Sequence, residues 1–125
     1  ISRYIFEEKE TAYFDAIKEA IASMVINGEK RYAYAFLRNC ENYYGAEVID
    51  FVRKRKNVDV CLVFREIGHH VIKINLRSSS EFDVSKFARQ FGGGGHRKAS
   101  GITLKGNLDE VIHKISSKLN HELST

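Results

Sequence analysis

The chain has 125 residues, 43% of them hydrophobic and 29% charged, which suits one compact soluble domain with its own core. Its 20 Lys and Arg against 16 Asp and Glu give a formal net charge of +4, a bias that favours a polyanionic partner only weakly. No stretch is apolar for long enough to cross a bilayer, no signal-peptide pattern opens the chain, and the two cysteines, Cys40 and Cys61, are too few for a disulfide framework; a reducing cytoplasm is expected.

The chain opens on Ile1 rather than methionine, so sequence is expected to precede it. Glu8 to Asn27 reads as a helix: Tyr13, Ile17, Ala20, Ile21 and Met24 share a stripe, and Gly28 stands where a C′ glycine belongs. Arg31 to Leu37 alternates aromatic and small residues, as a strand does. Ala46 to Lys56 reads as a second helix whose basic end, Arg53 to Lys56, complements the helix dipole. Val58 to Glu66 and His70 to Arg77 form a hairpin across Gly68, with Cys61 a small buried hydrophobe in the first arm. A short helix carries Val84, Phe87, Ala88 and Phe91 behind an Asp83 N-cap. Ala99 to Lys105 is a further strand, and Asn107 caps a last helix that turns Leu108, Val111, Ile112, Ile115 and Leu119 inward. The expected fold is mixed α/β: a central mixed sheet with helices packed on it.

The most informative stretch is Gly92-Gly93-Gly94-Gly95-His96-Arg97-Lys98. Ordering four glycines is entropically costly, which is tolerated where the backbone needs unusual dihedrals or close approach. Such a run can turn successive N–H groups toward one point as an anion nest, and imidazole, guanidinium and ammonium groups beside it make phosphate the natural guest. Two standard phosphate motifs do not account for it. The Walker A spacing and the dinucleotide fingerprint would both need glycine at position 97, which is arginine.

Arg77, followed by Ser78, Ser79 and Ser80, ends the long hairpin strand. An arginine grips phosphate bidentately and serine hydroxyls add neutral donors, so Arg77, Ser78 and Ser79 join the glycine run as binding candidates. His69 and His70 are adjacent, point to opposite faces of a strand, and are better explained by an exposed hairpin turn than by a shared metal. His113 and His121 lack companion ligands at metal spacing. No Ser/His/Asp arrangement emerges, and no catalytic residue is assigned to the chain.

Phe82 to Phe91 followed by Gly92-Gly93-Gly94-Gly95-His96-Arg97-Lys98-Ala99-Ser100-Gly101 closely resembles the DHHA1 domain, the C-terminal domain of DHH-family phosphoesterases with its GGGGH signature. The resemblance takes in Leu76-Arg77-Ser78-Ser79 and covers roughly the last three quarters of the chain. It implies an interdomain linker helix over residues 1–28 and a DHHA1 substrate-binding domain over 29–125, with a catalytic DHH domain outside this chain. That domain would hold two manganese ions (Mn2+), and the present one would bind no cofactor. By position, Gly92, Gly93, Gly94, Gly95 and His96 would bind a terminal phosphate or nucleotide. Arg77, Ser78 and Ser79 would grip the substrate backbone, and Arg97 would assist. The implied function is binding of a short RNA or DNA oligonucleotide or a 3′,5′-bisphosphonucleoside for hydrolysis, in the nano-RNase, pAp-phosphatase and exopolyphosphatase-related branch. Partners expected with it are the DHH domain, the nucleotide and a second copy of the chain, with no membrane. The motif is shared by RecJ-type exonucleases and cyclic-dinucleotide phosphodiesterases. A non-enzymatic alternative is the RNA-binding C-terminal module of alanyl-tRNA synthetases.

Overall fold

The computed structural model describes residues 8–38, 45–55 and 58–124; Cys40 and Lys56 lie outside them. A six-stranded mixed sheet in the order β1-β2-β3-β4-β6-β5 carries four helices. The strands are β1 (Val25–Asn27), β2 (Tyr32–Leu37), β3 (Val60–Gly68), β4 (Val71–Ser78), β5 (Gly94–His96) and β6 (Ala99–Lys105). The helices are α1 (Glu8–Ser23), α2 (Gly45–Arg55), α3 (Val84–Arg89) and α4 (Leu108–Glu122). Only β2 and β3 run parallel, joined by the α2 crossover; the remaining neighbours are antiparallel.

The sequence-based elements recur, with two short strands, β1 and β5, that the sequence reading does not contain and with local shifts. The first helix stops at Ser23, and Val25–Asn27 pair as an edge strand with Tyr32–Tyr34. Gly28 therefore lies in the β1–β2 turn and is not a helix C′ residue. On α1, Ala16, Ile17 and Ala20 are buried whereas Ile21 is 54% exposed: the small alanines let the helix approach the sheet closely. The β3–β4 hairpin turns at His69-His70, with His70 at φ 54° and a ladder irregularity between Glu66 and Gly68. The extra residue, Ile67, lies on β3, while Val71 stays in phase on β4 on the same face as Lys73, Asn75 and Arg77. The two imidazoles are exposed and stacked, their centroids 4.0 Å apart.

Side-chain alternation divides the core in two. One face of the sheet sends Leu62, Phe64, Ile74, Leu76 and Ile102 under α3 and α4. The opposite face packs Ala33, Ala35, Leu37, Cys61 and Val63 against Ala16, Ile17 and Ala20 of α1 and Val48, Ile49 and Val52 of α2. Strand β3 is consequently buried on both sides over residues 60–65. This second core ends at β3. Beyond it the same face of the sheet presents Lys73, Asn75 and Arg77 from β4, opposite Ala99, Gly101 and Thr103 of β6. Among the described residues no helix is long and apolar enough to cross a membrane.

Candidate functional site

Helix α3 delivers the glycine run. Asp83 caps its start, accepting from the N–H groups of Ser85 (2.9 Å) and Lys86 (3.2 Å). The Ser85 hydroxyl and these N–H groups hold the Asp83 carboxyl below its ordinary value. At the other end Gly92, at φ 79°, donates to the Arg89 carbonyl, and Gly93 donates to that of Ala88 at 2.9 Å, the paired bonds of a Schellman turn. Two of the four glycine N–H groups are thus engaged with the helix end. Gly94–His96 then pair with β6, so the run is a helix cap continued as an edge strand, and its N–H groups do not converge on one point.

The four glycines answer different demands. A Cβ on Gly93 would stand 2.2 Å from the Gly101 carbonyl oxygen. One on Gly95, whose φ is 144°, would stand 2.7 Å from that of Ala99. Gly92 needs its positive φ. Gly94 has no such constraint: nothing lies within 4 Å of its Cβ position. That space is a trough of about 460 Å³ on the polar half of the sheet, lined by Lys73, Asn75 and Arg77 of β4, Gly92 to Gly94, and residues 99–101 and 103 of β6.

Register orders the trough into rows. His96, Ala99 and Arg77 form one row across β5, β6 and β4, and Gly94, Gly101 and Asn75 form the next. Two strand spacings separate the Cα atoms of His96 and Arg77 by about 10 Å, with Ala99 between them in the row. Arg77 is held by two contacts: its Nε lies 3.4 Å from Asp50 Oδ1 on α2, and its Nη1 donates to the Leu76 carbonyl at 3.1 Å. The rest of the guanidinium edge is available to a ligand. Asn75 Oδ1 accepts from Arg65 Nε at 3.2 Å, so its amide N–H groups are the ones left to donate. Among the described residues no acidic side chain lines the trough.

Other sequence candidates lie elsewhere. Ser78 is buried and follows Leu76 on the α3/α4 face of the sheet; its N–H donates to the Lys98 carbonyl at 3.0 Å and its hydroxyl meets Ser80 Oγ at 3.3 Å. Ser79 is exposed and donates its N–H to the Asp59 carbonyl. Both serines shape the turn into α3, outside the trough lining. Arg97 and Lys98 make the β5–β6 turn; Arg97 Nη2 stands 4.0 Å from Glu81 Oε2, and Lys98 Nζ donates to the Ser80 carbonyl. Of His96, Arg97 and Lys98, His96 alone is paired in register with the rows of the trough, at whose margin it stands, outside the lining residues. Lys73, Asn75, Thr103 and Asp50 belong to no motif that sequence reasoning singles out, and Gly101 enters only as the last residue of the DHHA1-like stretch. The polar alternation Lys73-Asn75-Arg77 against Ile72-Ile74-Leu76 is the signal that could have found the first two.

Residues 29–123 match the family model of the DHHA1 domain. Over 68 residues the chain is 37% identical to the bifunctional oligoribonuclease and PAP phosphatase NrnA of Thermus thermophilus, a match covering 54% of this chain and 20% of that protein. The fold superimposes on an exopolyphosphatase-related protein from Bacteroides fragilis with a TM-score of 0.76, 23% identity, and coverage of 97% of this chain and 38% of the other. A pGpG-specific phosphodiesterase, PggH, from Vibrio cholerae gives a TM-score of 0.65 at 9% identity, covering 92% and 40%. The chain thus spans well under half the length of each of these proteins. With the glycine-histidine signature in place at the end of α3 and on β5, and the family match covering residues 29–123, the chain belongs to the DHHA1 domain family.

Proposed function

We propose that this domain holds the phosphate of a short oligonucleotide or a 3′,5′-bisphosphonucleoside for a DHH-family phosphoesterase. The observation that carries this reading is the row His96–Ala99–Arg77 beside Gly94, on a stretch of sheet where no described carboxylate lines the trough. Arg77 supplies a pre-held charged donor edge, and Gly94 and Gly101 let a ligand come down to the backbone. The name of the Thermus relative, an oligoribonuclease and PAP phosphatase, supports this ligand class.

Hydrolysis belongs in this reading to a separate DHH domain with its two manganese ions. Among the described residues no three His, Cys, Asp or Glu gather where they could hold a metal, so the present residues do not fit that centre and are assigned none of its steps.

Fluorescence anisotropy of the 125-residue chain with labelled oligonucleotides about two to five nucleotides long tests the proposal. Binding is expected to weaken as salt rises, because phosphate contacts release counterions. His96→Ala is expected to weaken it about tenfold, the scale of one charge-assisted hydrogen bond. Its circular dichroism spectrum should be unchanged, since the backbone carbonyl that accepts from Ser100 Oγ survives the change. Absent binding, or binding indifferent to salt and to His96, would sink the proposal.

A further inference from the structure

Arg65 lies outside the trough lining yet touches one of its members. Resting on the reading above, we infer that Arg65 is a positioning residue: it holds the Asn75 side chain so that only hydrogen-bond donors face the ligand, and Asn75 contacts an acceptor atom of the bound nucleotide.

Arg65 follows Cys61 and Val63 on the helix-covered face of β3 and is 4% exposed. An apolar side chain of similar length would continue that core without desolvating a charge. It would also avoid setting a second cation directly opposite Lys73. Packing alone does not ask for an arginine here. On the diagonal across to β4, its Nε donates to Asn75 Oδ1 at 3.2 Å.

An asparagine amide turned over exchanges its oxygen for its NH2, so an unheld Asn75 could offer a ligand either an acceptor or donors. The guanidinium has donors only. It removes the choice, because it accommodates the oxygen and repels the NH2. The cation also polarises the amide it holds, which strengthens the N–H groups as donors. Among the described residues no other side-chain hydrogen bond engages Asn75, which is half-buried in the trough lining. Its cross-strand neighbours are Gly101 and then Gly94, and neither has a side chain to cover the amide. The N–H groups therefore meet a ligand lying over those glycines. They suit an oxygen or an unprotonated ring nitrogen and offer nothing to a ligand N–H.

Anisotropy titrations of the 125-residue chain with labelled RNA trinucleotides, one of adenosine and one of uridine, test the assignment. Asn75→Ala is expected to bind about fivefold more weakly, the scale of one hydrogen bond. Asn75→Asp keeps an oxygen for Arg65 but turns the donors into an anionic acceptor. It should melt no lower than wild type and bind more weakly than Asn75→Ala. Losses shared by both probes identify a sugar–phosphate oxygen as the acceptor, and losses confined to one identify its base; either outcome supports the donor role. Arg65→Met should weaken binding about threefold and add nothing in the Asn75→Ala background. Its slope of log affinity against log salt should match wild type, because Arg65 holds Asn75 and no phosphate. Wild-type affinity in Asn75→Asp, or an Arg65→Met loss that is the same in both backgrounds, would overturn the inference while leaving the proposed function standing. The Asn75 variants leave Arg65 in place, so they decide the donor assignment even where the Arg65→Met chain fails to fold. A wild-type chain that binds neither trinucleotide would overturn both readings.

Discussion

Arg77 Nε and Asp50 Oδ1 lie 3.4 Å apart, so a residue of the helix-covered half of the sheet fixes the arginine that serves the open half. Asp50 also faces Arg53 Nη2 at 3.7 Å. The carboxylate thus divides its charge between two cations and still leaves Arg77 a donor edge for a ligand. Lysine could not reproduce this, because one ammonium cannot meet Asp50, the Leu76 carbonyl and a ligand in a fixed plane. Arg77→Lys should weaken oligonucleotide binding about tenfold, the loss of a charge-assisted hydrogen bond of about 1.5 kcal/mol. Asp50→Ala should weaken it more than Asp50→Asn, whose amide oxygen can still accept. Equal affinities for the wild-type and Arg77→Lys chains would remove the arginine from the site.

Gly93 and Gly94 are adjacent yet should respond oppositely to the same change. Gly93→Ala drives a Cβ into the Gly101 carbonyl and should destabilise the domain by about 3 kcal/mol. Gly94→Ala meets open space and should be neutral or stabilising by about 0.5 kcal/mol, as expected for a glycine inside a strand, while impairing binding because the methyl enters the trough. Thermal melts paired with anisotropy titrations read the two effects separately. Parallel losses of stability in both variants would contradict the division of roles.

Burial pushes the Cys61 thiol up to about 12, against the smaller opposing pull of Arg53 and Arg77, with Asp50 adding to the rise. The thiol should stay protonated and resist iodoacetamide at about pH 8 in the folded chain, below even the ordinary thiol value, and react readily in urea. Mass mapping of the Cys61 peptide distinguishes it from Cys40. The sign follows from the raised folded value: the contribution of the neutral thiol is complete below the ordinary thiol range, near about pH 8.5. It is lost as pH rises toward 12. Prompt labelling under native conditions would show the α2-covered core to be open.

Asp83 titrates the other way. Its carboxyl is held low, first by the Ser85 hydroxyl and then by the Lys86 and Ser85 N–H groups. Its stabilisation is therefore present above the ordinary carboxylate range, near about pH 4, and lost as pH falls through the depressed folded value. The melting-temperature gap between wild type and Asp83→Ala should be constant from about pH 7 to about pH 5 and narrow in acid. A gap independent of pH would mean that the charge of the cap contributes nothing.

Much of this architecture was legible from local pattern. Asp83 and Asn107 announced α3 and α4, the apolar periodicity of Val84–Phe91 and Leu108–Leu119 supplied their faces, and the β3–β4 hairpin declared itself by alternation. Two strands were not legible. Val25–Asn27 continue the apolar stripe of α1 and become a strand only because Tyr32–Tyr34 lie alongside. Gly94–His96 have almost no side chains from which to read a period, and β6 imposes their conformation. The site was half visible for related reasons. Arg77 and the glycines stood out by type, whereas Lys73 and Asn75 carry no motif and join the trough only through the pairing of β4 with β6. Ser78 could have been set apart from Arg77 by parity alone, since it follows Ile72, Ile74 and Leu76.

Strand β5 is only three residues long and lies at the sheet's outer margin. Beyond His96 no further described strand raises a wall, so the trough is open on that side. On the proposed reading, the sheet therefore sets no limit of its own on the length of the guest. Any upper limit on chain length has to come from whatever closes over the trough.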